Sequence, residues 1–99
     1  MTKTISITEL KTLLDTETIN LIDVRETDEF AAGHVPGAIN LPLSELVSRY
    51  TELDTDKPYH IICQMGGRSA QACAFLAGEG YDVTNVNGGT GAWTGELER

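Results

Sequence analysis

The residue best suited to covalent chemistry in this 99-residue chain is Cys63. It follows a β-rich run that ends at Ile62, and Gly66 and Gly67 come shortly after it. Because glycines lack a Cβ atom, the main chain here can curl so that several N–H groups point at one anion. Such a nest favours a thiolate over a thiol, and it equally favours the terminal sulfur of a persulfide. The stretch therefore predicts a reactive sulfur, with a buried inert thiol as the structural alternative.

Alternating β-rich and helical stretches must position this cysteine, and they are typical of an α/β domain with a mainly parallel sheet. Strands are predicted at residues 4–7, 19–24, 38–41, 59–62 and 81–86. Helices are predicted at residues 8–14, 27–32, 44–50 and 68–79, with a further short helix that holds Trp93. Thr8, Thr27 and Ser44 are the expected N-caps of the first three helices. Leu46 and Val47 are expected to face inward.

The order of strand, cysteine, turn and helix has a chemical meaning. Cys63 falls at the carboxyl end of the most convincing central strand, where open α/β sheets usually place their ligands. The start of the next helix would add a partial positive charge beside the sulfur. Positioned donors of this kind can stabilise developing negative charge on sulfur without an acid or base residue. We expect no cofactor and no metal.

The second cysteine, Cys73, is predicted to be structural. It shares a helical row with Ala70, Ala74 and Ala77, and this row is expected to face the sheet. Its separation from Cys63 is unlike that of a C-x-x-C redox pair. We therefore expect Cys73 to be buried, without a direct resolving role.

The charge balance narrows the classes of partner. A formal net charge of -8 disfavours nucleic acid and anionic membranes, which are bound mainly through excess Lys and Arg. A site for a small anion stays open, since charges are screened beyond about 8 Å at physiological salt. The length and the 40% hydrophobic content predict one domain over residues 1–99. Two cysteines, with no leader and no apolar stretch near ~18 residues, predict a cytoplasmic protein.

The two histidines and the tryptophan are predicted to be structural. His34 stands among turn residues, where an imidazole commonly fixes a turn by hydrogen bonding. His60 lies in a predicted strand, with no cluster of metal-site spacing beside it. Trp93 is interpreted as a core or capping aromatic.

Four segments resemble the rhodanese-like family, in the expected order and over nearly the whole chain. The stretch Cys63–Ser69 (the Cys63 loop) resembles the family's C-x-x-G-x-R-[ST] active-site loop. Residues 23–30 resemble its D-V-R-E-x-x-E-F segment, and residues 33–40 resemble G-H-I-P-G-A-x-N. Gly88 and Gly89, with Trp93, resemble the terminal G-G-x-x-x-W. The resemblance implies a five-stranded, mainly parallel sheet with helices on both faces.

The same resemblance implies an active-site cysteine that accepts a sulfane sulfur and passes it to a nucleophile. Matched residue by residue, Cys63 is the catalytic nucleophile. The implied substrate-binding loop comprises Gln64, Met65, Gly66, Gly67 and Arg68. The guanidinium of Arg68 could reach an anionic donor or could hold the loop through carbonyl contacts.

Three further residues are expected to support the Cys63 loop. Ser69, at the start of a helix, is interpreted as a cap rather than as a proton shuttle. Asp23 and Arg25 are expected to form a charge pair that organises the edge of the sheet near the loop.

The predicted function is sulfur transfer through a persulfide on Cys63, from a small sulfane-sulfur donor to a thiol or cyanide. A partner protein could take part in a sulfur relay. Two-domain thiosulfate enzymes of the family tend to carry extra basic residues in the loop and a basic residue in place of Glu29. We therefore expect a donor with less charge than thiosulfate.

Two other functions are alternatives to sulfur transfer. A cysteine-dependent phosphatase has five residues between cysteine and arginine, whereas Cys63 and Arg68 enclose four. A non-catalytic interaction module on the same scaffold would usually have lost the cysteine, which is present here.

Overall fold

Five strands form one sheet whose pairs are all parallel. They are β1 (Lys3–Ile5), β2 (Leu21–Asp23), β3 (Ile39–Asn40), β4 (Pro58–Ile62) and β5 (Asp82–Val86). The structure is a computed structural model, and it describes residues 3–99. Across the sheet the strands lie in the order β1-β5-β4-β2-β3, so β4 is central. This architecture confirms the predicted fold class.

Helices cover both faces of the sheet. They are α1 (Ile7–Thr16), α2 (Thr27–Ala32), α3 (Leu43–Arg49) and α4 (Gly67–Gly78), with short 3-10 turns at Tyr50–Glu52 and Thr90–Ala92. Leu10 of α1 and Phe30 of α2 pack with Val86 on one face. Leu46 of α3 and Leu76 of α4 pack with Ile61 on the other. Among residues 3–99, no helix is both long and apolar enough to cross a membrane.

The predicted N-caps were wrong for the first three helices. Ser6 caps α1, because its hydroxyl accepts from the N–H of Glu9 while the Glu9 carboxylate accepts from the N–H of Ser6. This cap also ends β1 at Ile5, two residues before the predicted end. Glu26 precedes α2, and its N–H donates to the Glu29 carboxylate. Pro42 precedes α3, where its fixed φ is compatible with a helix start.

Two predicted inward faces were also wrong in part. Val47 is 70% exposed, because α3 contacts the core through Leu43 and Leu46. In α4 the alanines predicted to share a row with Cys73 are exposed: Ala70, Ala74 and Ala77. The buried row is instead Ser69, Ala72, Cys73 and Leu76, which follows the spacing of three and four residues. The prediction that Cys73 is buried was correct.

His34 and Trp93 make structural contacts. His34 stacks on Phe30, and its Nδ1 lies 3.0 Å from the Phe30 carbonyl oxygen, so the imidazole does fix the turn after α2. Trp93 packs partly buried against the cluster that contains Leu10, and its indole N–H donates to the Glu96 carbonyl.

Candidate active site

The sulfur of Cys63 lies between the end of β4 and the start of α4. The residue is 1% exposed, and its Sγ accepts a hydrogen bond from the N–H of Gly66 at 3.0 Å. Gly66 is the N-cap of α4 with a φ of +108°, a left-handed conformation that glycine adopts without steric cost. The positive end of the α4 dipole is therefore close to the sulfur and favours its anionic form.

The hydroxyl of Ser69 is the second group in contact with the sulfur. Ser69 Oγ lies 3.3 Å from Cys63 Sγ and 3.1 Å from the carbonyl oxygen of Gly66. Ser69 is the third residue of α4 rather than its cap, so the predicted capping role was wrong. The tertiary structure instead turns its side chain inward, because Ser69 belongs to the buried row of the helix.

The pKa of Cys63 is lowered, although burial by itself would raise it. Hydrogen bonds from the Ser69 hydroxyl and from the N–H groups of Ser69, Gly66 and Met65 stabilise the thiolate and outweigh that burial. Cys73 behaves in the opposite way: burial, together with the charge of Cys63, raises its pKa to about 12. Only Cys63 of the two cysteines is therefore set up to react as a thiolate.

The guanidinium of Arg68 pairs with Glu29 of α2 through two contacts. Nη1 lies 2.6 Å from Oε1, and Nη2 lies 3.0 Å from Oε2. The bond from Arg68, followed by the backbone bond at Glu26, lowers the pKa of Glu29 to about 2. Within residues 3–99, Arg68 makes no hydrogen bond to a carbonyl of the Cys63 loop, so that predicted role finds no support. Contact with an anionic donor stays a prediction.

The predicted ion pair between Asp23 and Arg25 is present and fully buried. Arg25 Nη2 lies 2.9 Å from Asp23 Oδ2 and 2.8 Å from the Gly33 carbonyl oxygen. Arg25 Nη1 also donates to the side-chain oxygen of Gln64 at 3.2 Å. The pair is thus joined directly to the Cys63 loop. Its contribution to the chemistry stays a prediction.

A shallow cavity of about 270 Å³ opens above the sulfur. It is lined by Cys63, Gln64, Met65, Gly67 and Arg68. The Met65 side chain is 81% exposed at its rim. The structure therefore brings four of the five predicted substrate-binding residues to one opening, and the fifth, Gly66, contacts the Cys63 sulfur through its N–H. Among residues 3–99, no group of three or more His, Cys, Asp or Glu side chains is placed to hold a metal ion.

Residues 89–91, which follow β5, hold the Cys63 loop through backbone hydrogen bonds. The sequence-based predictions gave this segment no such role. The N–H of Thr90 donates to the Cys63 carbonyl at 2.8 Å, and that of Gly91 donates to the Gln64 carbonyl at 2.9 Å. Gly89, at a φ of +59°, approaches the loop so closely that a Cβ atom would lie 2.6 Å from the Gln64 oxygen. Two adjacent glycines between a strand and a short helix were the available signal.

Comparison with known proteins gives the family of this fold. A family model described as "Rhodanese-like domain" matches residues 6–96. A sulfurtransferase of Allochromatium vinosum is 43% identical over 82% of this chain and 77% of that protein. A thiosulfate sulfurtransferase of Shewanella oneidensis is 30% identical over 92% of this chain and 91% of that protein.

Solved structures agree as well. The crystal structure of a rhodanese-like domain protein from Staphylococcus aureus matches with a TM-score of 0.89 and 34% identity, over 97% of this chain and 96% of that chain. The chain belongs to the rhodanese-like domain family, as its four motifs predicted. The names of its relatives support sulfur transfer as its general class of activity.

Proposed function

We propose that this protein is a sulfurtransferase that carries a sulfane sulfur on Cys63 as a persulfide and passes it to a thiol. The observation that carries the proposal is the sulfur of Cys63 at the start of α4, with the N–H of Gly66 at 3.0 Å and a lowered pKa. Donors that stabilise a thiolate also stabilise the terminal sulfur anion of a persulfide, because both place negative charge on sulfur in the same loop.

The proposed reaction has two steps that need no added oxidant or reductant. The Cys63 thiolate attacks the outer sulfur of the donor, the donor's S–S bond breaks, and the electron pair leaves with a thiolate or with sulfite. An acceptor thiolate then attacks the outer sulfur of the Cys63 persulfide and restores the Cys63 thiolate. The cavity above the sulfur supplies the path by which both partners would approach.

Intact mass spectrometry tests this proposal on the parent protein. After exposure to a low-molecular-weight thiol persulfide, we expect a gain in mass of one sulfur atom that cyanide treatment removes. The acceptor step is followed as hydrogen sulfide released when a free thiol is added in excess. A protein that gains no sulfur from either a thiol persulfide or thiosulfate would contradict the proposal.

The charges around the loop favour a donor with less charge than thiosulfate. Arg68 is the only cationic side chain of the Cys63 loop, and its guanidinium is held by Glu29. The Arg25 guanidinium already donates hydrogen bonds to Asp23, to Gly33 and to Gln64. A dianion would therefore have to compete with a carboxylate for Arg68, whereas a persulfide needs chiefly the backbone donors. Because the pKa of Glu29 is about 2, this carboxylate stays charged at any ordinary assay pH.

Replacing Glu29 by glutamine is expected to raise kcat/KM for thiosulfate about tenfold. Even at an effective dielectric constant near 20, a unit charge several ångströms from a dianion changes its binding by at least about 1.4 kcal/mol. The kcat/KM for a thiol persulfide should change much less. The measurement is therefore the ratio of kcat/KM for thiosulfate to kcat/KM for the thiol persulfide. In the parent, the thiol persulfide is expected to be the better donor.

Glu52→Gln is a matched control for this prediction. Glu52 pairs with Arg49, so the substitution removes the same charge from another Arg–Glu pair. This pair lines a different cavity, together with Asn20 and Lys57. If both variants raise thiosulfate turnover equally, net charge rather than the Arg68 pair sets the preference. Thiosulfate is the named substrate of the relative from Shewanella oneidensis. A parent that already prefers thiosulfate would reject this choice of donor and leave the persulfide proposal intact.

A further inference from the structure

The carbonyl oxygen of Gly66 faces the protein interior and accepts three hydrogen bonds. The N–H of Ala70 donates at 3.1 Å, the hydroxyl of Ser69 at 3.1 Å and the side-chain amide of Asn85 at 3.3 Å. The first is the opening bond of α4. The other two are side-chain contacts that lie directly behind the residue whose N–H binds the sulfur.

Asn85 reaches this carbonyl from the neighbouring strand. On β5 it pairs with Ile61 of β4, and Ile61 and Cys63 are two residues apart, so all three side chains lie on one side of the sheet. Asn85 is only 5% exposed. Its Oδ1 has no hydrogen-bond partner among the described residues 3–99. A buried amide oxygen without a partner costs free energy, so the favourable polar contact of this side chain is the one that Nδ2 makes with the Gly66 carbonyl.

Ser69 cannot hold the Gly66 carbonyl in every state of the sulfur, because its hydroxyl has a single proton. When Cys63 is a thiol, Sγ–H can donate to Ser69 Oγ while the hydroxyl donates to Gly66. When Cys63 is a thiolate, the hydroxyl must turn towards Sγ to donate to it. The Gly66 carbonyl then depends on Ala70 and Asn85.

The peptide between Gly66 and Gly67 has little steric restraint of its own, since neither residue has a Cβ atom. In a trans peptide the C=O and the N–H point to opposite sides, so an anchored Gly66 carbonyl fixes the direction of the Gly67 N–H. Gly67 lines the cavity above Cys63. If this peptide turned over, a carbonyl oxygen would replace an N–H on that side, and it would repel a sulfur anion.

We propose that Asn85 is a positioning residue that locks the Gly66–Gly67 peptide with its N–H on the cavity side while the sulfur of Cys63 is anionic. Asn85 acts through the Gly66 carbonyl and touches neither the sulfur nor the donor. The inference rests on the proposed function only in that Cys63 is the reacting thiol.

Asn85→Leu tests this role, because leucine keeps a similar volume but cannot donate. The pKa of Cys63, followed by the ultraviolet absorbance of its thiolate and by the pH dependence of its alkylation, is expected to rise by about one unit. At a pH below the pKa of Cys63, alkylation should then slow by about tenfold. Cys73 does not interfere, since its own pKa is about 12. The nearby charges are unchanged, because Arg68 keeps Glu29 and Arg25 keeps Asp23.

Thr84→Val is the matched control. Thr84 is the preceding residue of β5, on the opposite side of the sheet, and it is 9% exposed. The substitution removes a hydroxyl at almost constant shape. The pKa of Cys63 is expected to equal that of the unsubstituted protein. Asn85→Ala serves as a second variant if leucine does not fit, with the same expected rise.

Thermal melting separates positioning from simple support of the fold. Asn85→Leu removes an unpaired buried oxygen and leaves the Gly66 carbonyl with Ala70, so we expect it to melt within about 4 °C of the parent. A raised pKa in such a well-folded variant supports the proposal. An unchanged pKa, with or without a lower melting temperature, overturns it even if the parent takes up sulfur. A parent that takes up no sulfur would instead reject the proposed function and leave this pKa comparison valid.

Discussion

Cys63→Ala is expected to abolish sulfur uptake altogether, with no residual gain of one sulfur atom from any sulfane donor. The reason is chemical, because the new bond forms at the Cys63 sulfur and the described residues place no second activated thiol in the cavity. The fold should survive the change. Cys63 is buried, but its side chain is small, so the lost packing is modest compared with about 2–5 kcal/mol for a buried leucine cut back to alanine. Intact mass spectrometry after treatment with a thiol persulfide is the measurement.

Cys73→Ala is the matched control for this loss. It removes a thiol of equal size from the same buried cluster, but one whose pKa is raised to about 12 rather than lowered. We expect this variant to take up one sulfur atom at close to the parent rate. If Cys73→Ala lost uptake while Cys63→Ala retained it, the assignment of the reacting sulfur would be wrong.

Gly89→Ala is expected to cause the second-largest loss, although residue 89 lies 26 positions after the cysteine in the sequence. An added Cβ would collide with the backbone oxygens of Cys63 and Gln64. Neither oxygen can move alone, because the N–H groups of Thr90 and Gly91 hold them. Overpacking costs about 1–3 kcal/mol, and a side chain at a φ of +59° adds about 1–3 kcal/mol of strain. We expect sulfur uptake to slow at least about tenfold, with a clear fall in melting temperature.

Gly80→Ala separates the effect of a positive φ from that of the close approach. Gly80 follows α4 with a φ of +93°, but a Cβ atom there would meet nothing within 4 Å. This variant should lose about 1–2 kcal/mol of stability and still take up sulfur at the parent rate. Equal rates of sulfur uptake in Gly89→Ala and Gly80→Ala would show that the close approach of residue 89 to the Cys63 loop does not affect sulfur uptake.

Local patterns in the sequence were enough to predict the parallel sheet and the place of Cys63 in it. β4 combines a short apolar run with a following glycine turn, and these are properties of adjacent residues. The pair of Asp23 and Arg25 was predictable for the same reason, since they stand two residues apart. Helix caps were less predictable. Thr8 and Thr27 are good capping residues, yet Thr8 is the second residue of α1 and Thr27 is the first of α2, with Ser6 and Glu26 at the cap positions.

The partners of the Cys63 loop could not be read from the sequence, because each comes from a distant element. Glu29 is 39 residues from Arg68, yet α2 brings its carboxylate to the guanidinium at 2.6 Å. Asn85 lies on β5 and Gly89 follows that strand, and β5 lies beside β4 only in the folded sheet, whose strand order is β1-β5-β4-β2-β3. Ser69 was predicted as a cap because it stands near a helix start. Only the packing of α4 showed that it turns inward to the sulfur.

The amino-acid sequence by itself thus determined that Cys63 stands in a glycine turn at the end of a central strand, since bond geometry and local chain stiffness act between neighbours; its reactivity stays a prediction. The tertiary structure decided what surrounds that sulfur. It placed Arg68 on Glu29, directed the Ser69 hydroxyl to Sγ and set Asn85 behind the Gly66 carbonyl. These contacts depend on strand order and helix packing, which arise from burial of apolar surface over the whole chain rather than from any one segment.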